Sequence, residues 1–188
     1  MVLIVIDGID GSGKSTQARL LEKRLREKGL TCIVRSHPSN DNFLGRIGRS
    51  YLMVEGTRGT IIASIFYLAD VLRSLTLYKW RRVDFLIFVR YLMGTSYLPK
   101  PLHRFAYLFF YAMVPTSRYM FFIDVQPEEA HRRIIKNRGR REVFESLDKL
   151  IKVRAKMLSL AMNGRWIIVD GCNSPLIIQK TIRGSLGL

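Results

Sequence analysis

Residues 8–15, which read GIDGSGKS, have the types and the spacing of a loop that binds phosphate groups. They fit the pattern G-x-x-x-x-G-K-[S/T] at every fixed position, so a chance glycine-rich turn is the disfavoured alternative. Glycines let backbone N–H groups curl around phosphate oxygens, a lysine neutralises the β- and γ-phosphates, and the Ser15 hydroxyl can ligate Mg²⁺. The run therefore predicts a nucleoside triphosphate site. Its expected contacts are Gly8, Ile9, Asp10, Gly11, Ser12, Gly13, Lys14, Ser15 and Thr16.

This loop must be held between a strand and a helix, and the sequence supplies both. An apolar run at 2–6 precedes it. A helical pattern at 15–28 follows, with apolar residues on one face and Gly29 as a stop. The amino end of that helix would bring the positive end of its dipole to the phosphates.

Further apolar runs and helical patterns alternate along the chain. The runs are continuous, which is typical of strands buried on both faces. They lie at 31–34, 85–89, 120–125 and 166–169, and helical patterns cover 61–78, a segment beginning at Pro127, and 142–162. The alternation predicts an α/β fold with a five-stranded parallel sheet flanked by helices, in a single domain over residues 1–188.

The composition is strongly basic, with a formal net charge of +16 and a pI near 10.4. Such a surface attracts polyanions, so nucleic-acid binding is one interpretation, although a basic surface around an anionic-substrate site is favoured. The segment 85–123 contains no Asp or Glu. Basic residues and prolines interrupt it, so we expect no transmembrane segment there. It could instead form a buried strand and helix, a subunit interface or a weak membrane-surface contact.

Cysteine and histidine usage indicates neither disulfide nor metal chemistry. Cys32 and Cys172 lie in or beside apolar runs, and we expect buried thiols of a reducing compartment. The first apolar run ends at Asp7 and is too short for a signal peptide, so a cytoplasmic enzyme is predicted. His37, His103 and His131 have no spacing that suggests metal ligation.

Four segments together resemble the thymidylate kinases, a family of nucleoside monophosphate kinases. They are IVIDGIDGSGKSTQARLLEKRL at the start, FFIDVQPEEAHRRI at 121–134, VRAKMLSLA and WIIVDG. The resemblance implies a P-loop nucleoside triphosphate hydrolase fold and a pyrimidine nucleoside monophosphate as the acceptor, with dTMP giving dTDP as the first candidate. ATP would be the donor with Mg²⁺, and the protein would be a homodimer. The helical stretch at 102–114 is a candidate for the subunit contact, although a core helix could look the same.

An arginine-rich segment at about 132–142 occupies the position of the family's lid. Arg138 and Arg140 flank Gly139, a residue that can serve as a hinge over a bound triphosphate. A solvated basic helix face or an RNA-binding patch would have a similar composition. The resemblance implies that the catalytic residues are Asp10, Lys14, Arg138, Arg140 and Arg141. Asp10 would orient the acceptor, unless it only caps the loop.

The segments that bind the acceptor in the family are altered in this chain. The family's Asp-Arg-Tyr reads VRY at 89–91, and its aromatic-x-x-Asp-Arg segment reads YLADV at 67–71. Valine thus replaces an acid at position 89 and a base-reading arginine at position 71. The loss of the arginine predicts a weak or broadened preference for dTMP over dUMP. Asp124 or Asp7 would then support Mg²⁺. The expected acceptor contacts are Arg35, Phe66, Tyr67, Arg90 and Tyr91.

Two other functions remain open from the sequence. The same fold could phosphorylate another phosphorylated or hydroxylated metabolite, since the acceptor segments are altered. A basic nucleotide-binding protein could instead bind RNA or a membrane surface, because the net charge is high and the stretch 85–123 lacks acids.

Overall fold

A computed structural model describes residues 1–52, 54, 56–78, 81–138 and 146–188. Five parallel strands form one sheet in the order β2-β3-β1-β4-β5. They are β1 (Val2–Asp7), β2 (Cys32–Ser36), β3 (Phe85–Val89), β4 (Met120–Asp124) and β5 (Ile167–Asp170). The predicted five-stranded parallel sheet flanked by helices is confirmed.

Seven α-helices and one 3₁₀ helix are present in the described part of the chain. They are α1 (Lys14–Glu27), α2 (Phe43–Leu52), α3 (Thr57–Tyr78), α4 (Leu102–Met113), α5 (Pro127–Arg138), α6 (Leu147–Met162), α7 (Pro175–Leu186) and the 3₁₀ helix Met93–Tyr97. Helix α2 was not predicted. Helix α3 begins before the predicted 61–78, and residues 142–145 of the predicted last long helix lie outside the described residues.

The central strand β1 separates two apolar cores. Ile4 and Ile6 point to one face, where they pack with Leu21 of α1 and Ile182 of α7. Val5 points to the opposite face, into a core built mainly from α3, α4 and α6. Both faces of the strand are therefore buried from solvent, which explains its continuous apolar sequence. The sheet's carboxyl edge, where β1 ends, lies between these two layers.

Helix α3 is, among the described residues, the one helix long and apolar enough to cross a membrane by length and composition. A helix packed in a protein core meets the same criterion. Six residues of α3 are buried within the protein, and one of them is Asp70, whose carboxylate is buried with it. This carboxylate accepts hydrogen bonds from Ser39 and Asn42 at 2.7–2.8 Å. A buried and fully hydrogen-bonded acid is the mark of a helix packed against protein.

The two cysteines differ from the expectation of buried thiols. Cys172 is exposed and Cys32 is half-buried, and both are free. Cys172 follows the carboxyl end of β5, where the chain leaves the sheet, so the apolar run WIIVDG did not extend burial to it. Burial raises the pKa of the Cys32 thiol, which keeps that sulfur protonated.

Candidate active site

The phosphate loop connects the end of β1 to the start of α1 at the carboxyl edge of the sheet. Gly8, Gly11 and Gly13 all adopt positive φ, at 149°, 77° and 93°. A Cβ on Gly8 would lie 2.6 Å from the Ile123 carbonyl oxygen, and a Cβ on Gly11 would collide with the Ala130 carbonyl. Gly8 and Gly11 are therefore required by close backbone packing as well as by conformation, and Gly13 by its conformation.

Lys14 places its ammonium group inside this loop. Its side chain is 4% exposed, and Nζ donates to the Ile9 carbonyl at 2.5 Å. The same nitrogen lies 3.7 Å from the Asp10 carboxylate. A buried cation in a cradle of backbone N–H groups is an arrangement suited to phosphate oxygens.

Arg90 meets Asp10 at the mouth of the loop. The Arg90 guanidinium forms an ion pair with the Asp10 carboxylate, whose charge raises the arginine pKa. The Arg90 backbone has φ of 60°, the left-handed region, which costs a residue other than glycine on the order of 1–3 kcal/mol. Its N–H donates to the Ile6 carbonyl at 3.1 Å, so the turn is anchored on β1. Such strain is maintained where the surrounding contacts fix a side chain in one direction.

Asp7 ties the segment after β3 to the loop. Its carboxylate accepts from the backbone N–H groups of Tyr91 at 2.9 Å, Met93 at 3.2 Å and Gly8 at 3.2 Å. Burial is the largest influence on this carboxyl and raises its pKa, against the lowering effect of these donors. Asp7 thus organises the backbone on both sides of the site.

Asp124 is engaged by an arginine of α6. Its two oxygens accept from Arg154 Nε at 2.7 Å and from the terminal nitrogen at 2.8 Å. This fork joins the end of β4 to α6 and leaves the side chains about one-fifth exposed. Asp7 and Asp124 thus already accept several hydrogen bonds within the protein. A role of either carboxylate in supporting Mg²⁺ stays a prediction.

The loop opens into a cleft of about 390 Å³, a volume in the range of small-molecule sites. The residues of the loop form one side, together with Arg90. The other side is formed by Arg133, Ile134, Asn173, Pro175 and Ile178. Glycines that exclude a Cβ, a buried lysine and this volume fit a nucleoside triphosphate. The Ser15 hydroxyl, on the exposed side of the first turn of α1, is the residue that would hold Mg²⁺.

The far wall of the cleft was missed by sequence reasoning. Arg133 donates to the Gly171 carbonyl at 3.1 Å and pairs with Glu129, so it links α5 to the segment after β5. Gln17 of α1 donates to the Pro175 carbonyl at 3.0 Å. The carboxyl-edge rule for parallel sheets could have pointed to the segment after β5, since it must lie beside the loop.

The five expected acceptor residues are not gathered in one place. Arg90 alone among them lines the cleft. Tyr91 is fully buried with its hydroxyl donating to the Pro115 carbonyl at 2.9 Å, and the hydroxyl of buried Tyr67 donates to the Tyr91 carbonyl at 3.0 Å. Phe66 stacks on Tyr51 with 6.5 Å between ring centroids. Contacts of these rings with an acceptor stay a prediction.

Arg35 is held away from the cleft by an acid of the segment between β2 and α2. Its guanidinium forms a bidentate pair with Asp41, with one N···O distance of 2.6 Å, and its Nε donates to Ser74 at 3.2 Å. This arginine lowers the pKa of the Asp41 carboxyl well below its usual range. Arg35 therefore connects β2 to α3.

The arginines expected in the lid are only partly covered by the structure. Arg138 is the last residue of α5. Arg140 and Arg141, with the rest of 139–145, lie outside the described residues. Their catalytic role stays a prediction.

The parallel sheet and the glycine cradle with its buried lysine define a phosphate-loop nucleotide-binding protein. The fold is similar to that of a deoxyadenosine kinase from M. mycoides solved with bound dATP, with a TM-score of 0.74 and 17% identity over 100% of both chains. This likeness confirms the P-loop fold. The model of the thymidylate kinase family matches residues 6–182, and the chain belongs to that family.

Relatives at the sequence level carry the same family name. A probable thymidylate kinase of Pyrobaculum aerophilum is 28% identical over 188 residues, covering 93% of this chain and 91% of that one. A probable thymidylate kinase of Thermococcus gammatolerans is 42% identical over 60 residues, which is 32% of this chain. The latter match spans only 28% of the length of that relative. The resemblance seen in the motifs is therefore confirmed at the level of family.

Proposed function

We propose that the protein transfers the γ-phosphoryl group of ATP to a pyrimidine nucleoside monophosphate, with dTMP giving dTDP as the first candidate. The observation that carries the proposal is the position of Arg90, whose guanidinium meets Asp10 at the mouth of the phosphate loop. A cation at this point lies beside the triphosphate cleft, where an acceptor phosphate must approach the donor.

The donor half of the reaction is supported by the loop itself. Lys14 is buried among the backbone groups of the loop, so its charge is aimed at phosphate oxygens and is weakly screened by water. The Ser15 hydroxyl would hold Mg²⁺, whose charge would offset the negative charge that develops on the phosphates. The protein's own contribution is therefore positioning and positive charge.

The acceptor half is supported by the pair of Arg90 and Asp10. A monophosphate dianion entering the cleft would compete with Asp10 for the guanidinium, because both are anions that an arginine fork binds well. Released from the arginine, the Asp10 carboxylate would be able to accept a hydrogen bond from a sugar hydroxyl of the acceptor. The strained backbone at Arg90 supports a functional role for the direction of its guanidinium toward Asp10.

Recognition of the base is the weak point of the acceptor site. Val71 is fully buried on α3 in place of the family's base-reading arginine, and Tyr67 uses its hydroxyl within the protein. We expect discrimination between dTMP and dUMP of less than about a hundredfold, roughly 2.7 kcal/mol. A methyl group in an apolar pocket supplies only about 1–3 kcal/mol.

The proposal is tested by measuring ADP release with ATP, Mg²⁺ and a panel of nucleoside monophosphates. We expect acceptor-dependent release that is largest with a pyrimidine deoxynucleotide. The Lys14→Met variant should be inactive, whereas Lys23→Met, at an exposed lysine of the same helix, should match the unmodified protein. The absence of acceptor-dependent release with every nucleotide of the panel would refute the proposal.

A second candidate keeps the fold and changes the acceptor to another phosphorylated metabolite. It is favoured by Val71 and Val89, whose buried apolar side chains stand where the family has an arginine and an acid. Mass spectrometry of ligands that copurify with the protein would identify such an acceptor. A nucleoside monophosphate among them would decide for the first candidate.

The expected homodimer would use the solvent face of α4. Phe105, Leu108 and Phe109 recur on this face and are 67%, 56% and 61% exposed. An apolar face of this kind marks an interaction surface. Light scattering should give twice the mass of the chain, and a Phe105→Ser and Phe109→Ser double variant should shift it toward the monomer.

A further inference from the structure

His37 lies directly behind Arg90, at the point where the pairing of β2 and β3 ends. Its backbone N–H donates to the Val89 carbonyl at 3.0 Å, one residue beyond the last registered pair. Its side chain is fully buried, and its ring packs edge-on against Phe88 with 5.0 Å between centroids. The imidazole is therefore fixed in position and orientation.

Both ring nitrogens of His37 have a partner. Nδ1 lies 3.1 Å from the Arg90 carbonyl oxygen, and Nε2 lies 3.0 Å from the Ser74 hydroxyl on α3. A carbonyl oxygen can only accept, so Nδ1 carries the proton and Nε2 accepts from Ser74. Ser74 in turn accepts from Arg35 at 3.2 Å. The neutral Nδ1–H tautomer satisfies every group in this chain.

The ring holds the residue whose backbone is strained. The Arg90 N–H is fixed by the Ile6 carbonyl on one side, and the Arg90 carbonyl is fixed by His37 on the other. Together these bonds clamp the peptide units that flank the left-handed φ of 60°. The direction of the guanidinium toward Asp10 depends on that backbone conformation.

We infer that His37 is a positioning residue: its Nδ1–H holds the Arg90 carbonyl so that the guanidinium faces the acceptor side of the phosphate loop. The inference rests on the proposed function, in which Arg90 binds the acceptor phosphate. Ser74 and Arg35 extend the same chain of bonds to α3 and β2, so the acceptor-side elements support the arginine from behind. Burial lowers the pKa of His37 to about 4, which keeps the ring neutral near neutral pH.

Two substitutions of matched polarity separate this role from simple packing. The amide nitrogen of His37→Asn can take the place of Nδ1 and still donate to the Arg90 carbonyl. The longer side chain of His37→Gln places its amide near Nε2, beside Ser74, and leaves the carbonyl without its donor. We expect His37→Gln to raise the acceptor KM by about tenfold or more with an ATP KM unchanged, and His37→Asn to recover most of the loss.

The outcomes distinguish the inference from the function on which it rests. If the unmodified protein turns over and both variants share one acceptor KM, or if the ATP KM rises equally, His37 does not position Arg90. If the unmodified protein has no acceptor-dependent turnover, the proposed function itself fails. Long-range ¹H–¹⁵N NMR of the unmodified protein gives a test without variants, because the Nε2–H tautomer at neutral pH would overturn the inference.

Discussion

Asp10 and Arg90 are separated by 80 positions in the sequence and form an ion pair at the mouth of the phosphate loop. Asp10 belongs to the phosphate loop, and Arg90 belongs to the turn that follows β3. Because the pair lies across the junction of these two segments, each residue holds the other in the direction of the cleft. The two halves of the proposed site are therefore coupled before any substrate binds.

Replacing Arg90 should weaken acceptor binding selectively. Arg90→Ala removes the cation nearest to the acceptor side, and we expect the acceptor KM to rise by about tenfold to a hundredfold with little change in the ATP KM. Arg90→Lys should restore only part of the loss, because an ammonium lacks the planar fork. Arg165→Ala, at an exposed arginine before β5 on the opposite edge of the sheet, is the matched control. Equal effects on both substrates would argue against the assignment of Arg90 to the acceptor.

A methyl group on Gly11 should damage the loop. The Cβ of Gly11→Ala would collide with the Ala130 carbonyl, at a φ of 77° that alanine adopts poorly. We expect stabilisation by ATP in thermal unfolding to disappear. Gly184→Ala is the control, since its Cβ meets open space in α7 and should stabilise the helix by about 0.5–1 kcal/mol. Retained stabilisation by ATP in Gly11→Ala would show that the loop does not need the close approach of its backbone to Ala130.

The pair of Arg154 and Asp124 should contribute measurably to stability. Both side chains are about four-fifths buried and share two hydrogen bonds, so Arg154→Lys should lower the free energy of unfolding by about 1–3 kcal/mol. Arg132→Lys makes the same change at a side chain that is 71% exposed and should alter stability by less than about 0.5 kcal/mol. Chemical denaturation of the two variants compares them directly, and equal losses would contradict the difference in burial.

The buried imidazole of His37 should make stability fall in mildly acidic solution. Its pKa is lowered from 6.5 to about 4 in the folded protein, first by burial, with Asp70 and Asp41 opposing and Arg35 adding to the shift. The unfolded chain thus binds the extra proton first. The stabilisation is complete above about pH 6.5 and is lost as the pH falls toward about 4, a change on the order of 3 kcal/mol.

Free energies of unfolding measured between pH 4 and 7 check this prediction. The His37→Asn variant is the control, because it lacks the titrating group while every other titrating side chain is shared. The slope with pH should be smaller in the variant than in the unmodified protein. Identical slopes in the two proteins would show that His37 does not titrate in this window.

The strands and the phosphate loop could be predicted because local sequence decides them. Continuous apolar runs leave few alternatives to strands buried on both faces, and the loop needs Gly8 and Gly11 for close backbone contacts. Helix α2 was missed because Gly45 and Gly48 are typical of loops. In the structure a Cβ at Gly45 would collide with the Ser39 carbonyl, so the glycine serves helix packing that local sequence does not reveal.

The acceptor side could be predicted only in part, because its geometry depends on residues distant in sequence. Arg90 was expected at the site, but its partner Asp10 and its left-handed backbone follow from the assembled sheet. The burial of Tyr91 in the core was not predicted, and its contact with an acceptor stays a prediction. For His37, the sequence spacing argued only against metal ligation. Its contacts with the Arg90 carbonyl and Ser74 arise from the alignment of β2, β3 and α3.

The strand order also has a consequence for the way the protein is made on the ribosome. The phosphate loop is synthesised before both sheet neighbours of β1, because β1 lies in the middle of the sheet and pairs with Phe85–Val89 and Met120–Asp124. The cleft is completed later still, by Pro175 and Ile178 of α7. Until those residues are made, the nascent chain carries its phosphate-loop motif without a complete cleft. A nucleotide cleft with this lining can form only after Pro175 and Ile178 have been synthesised.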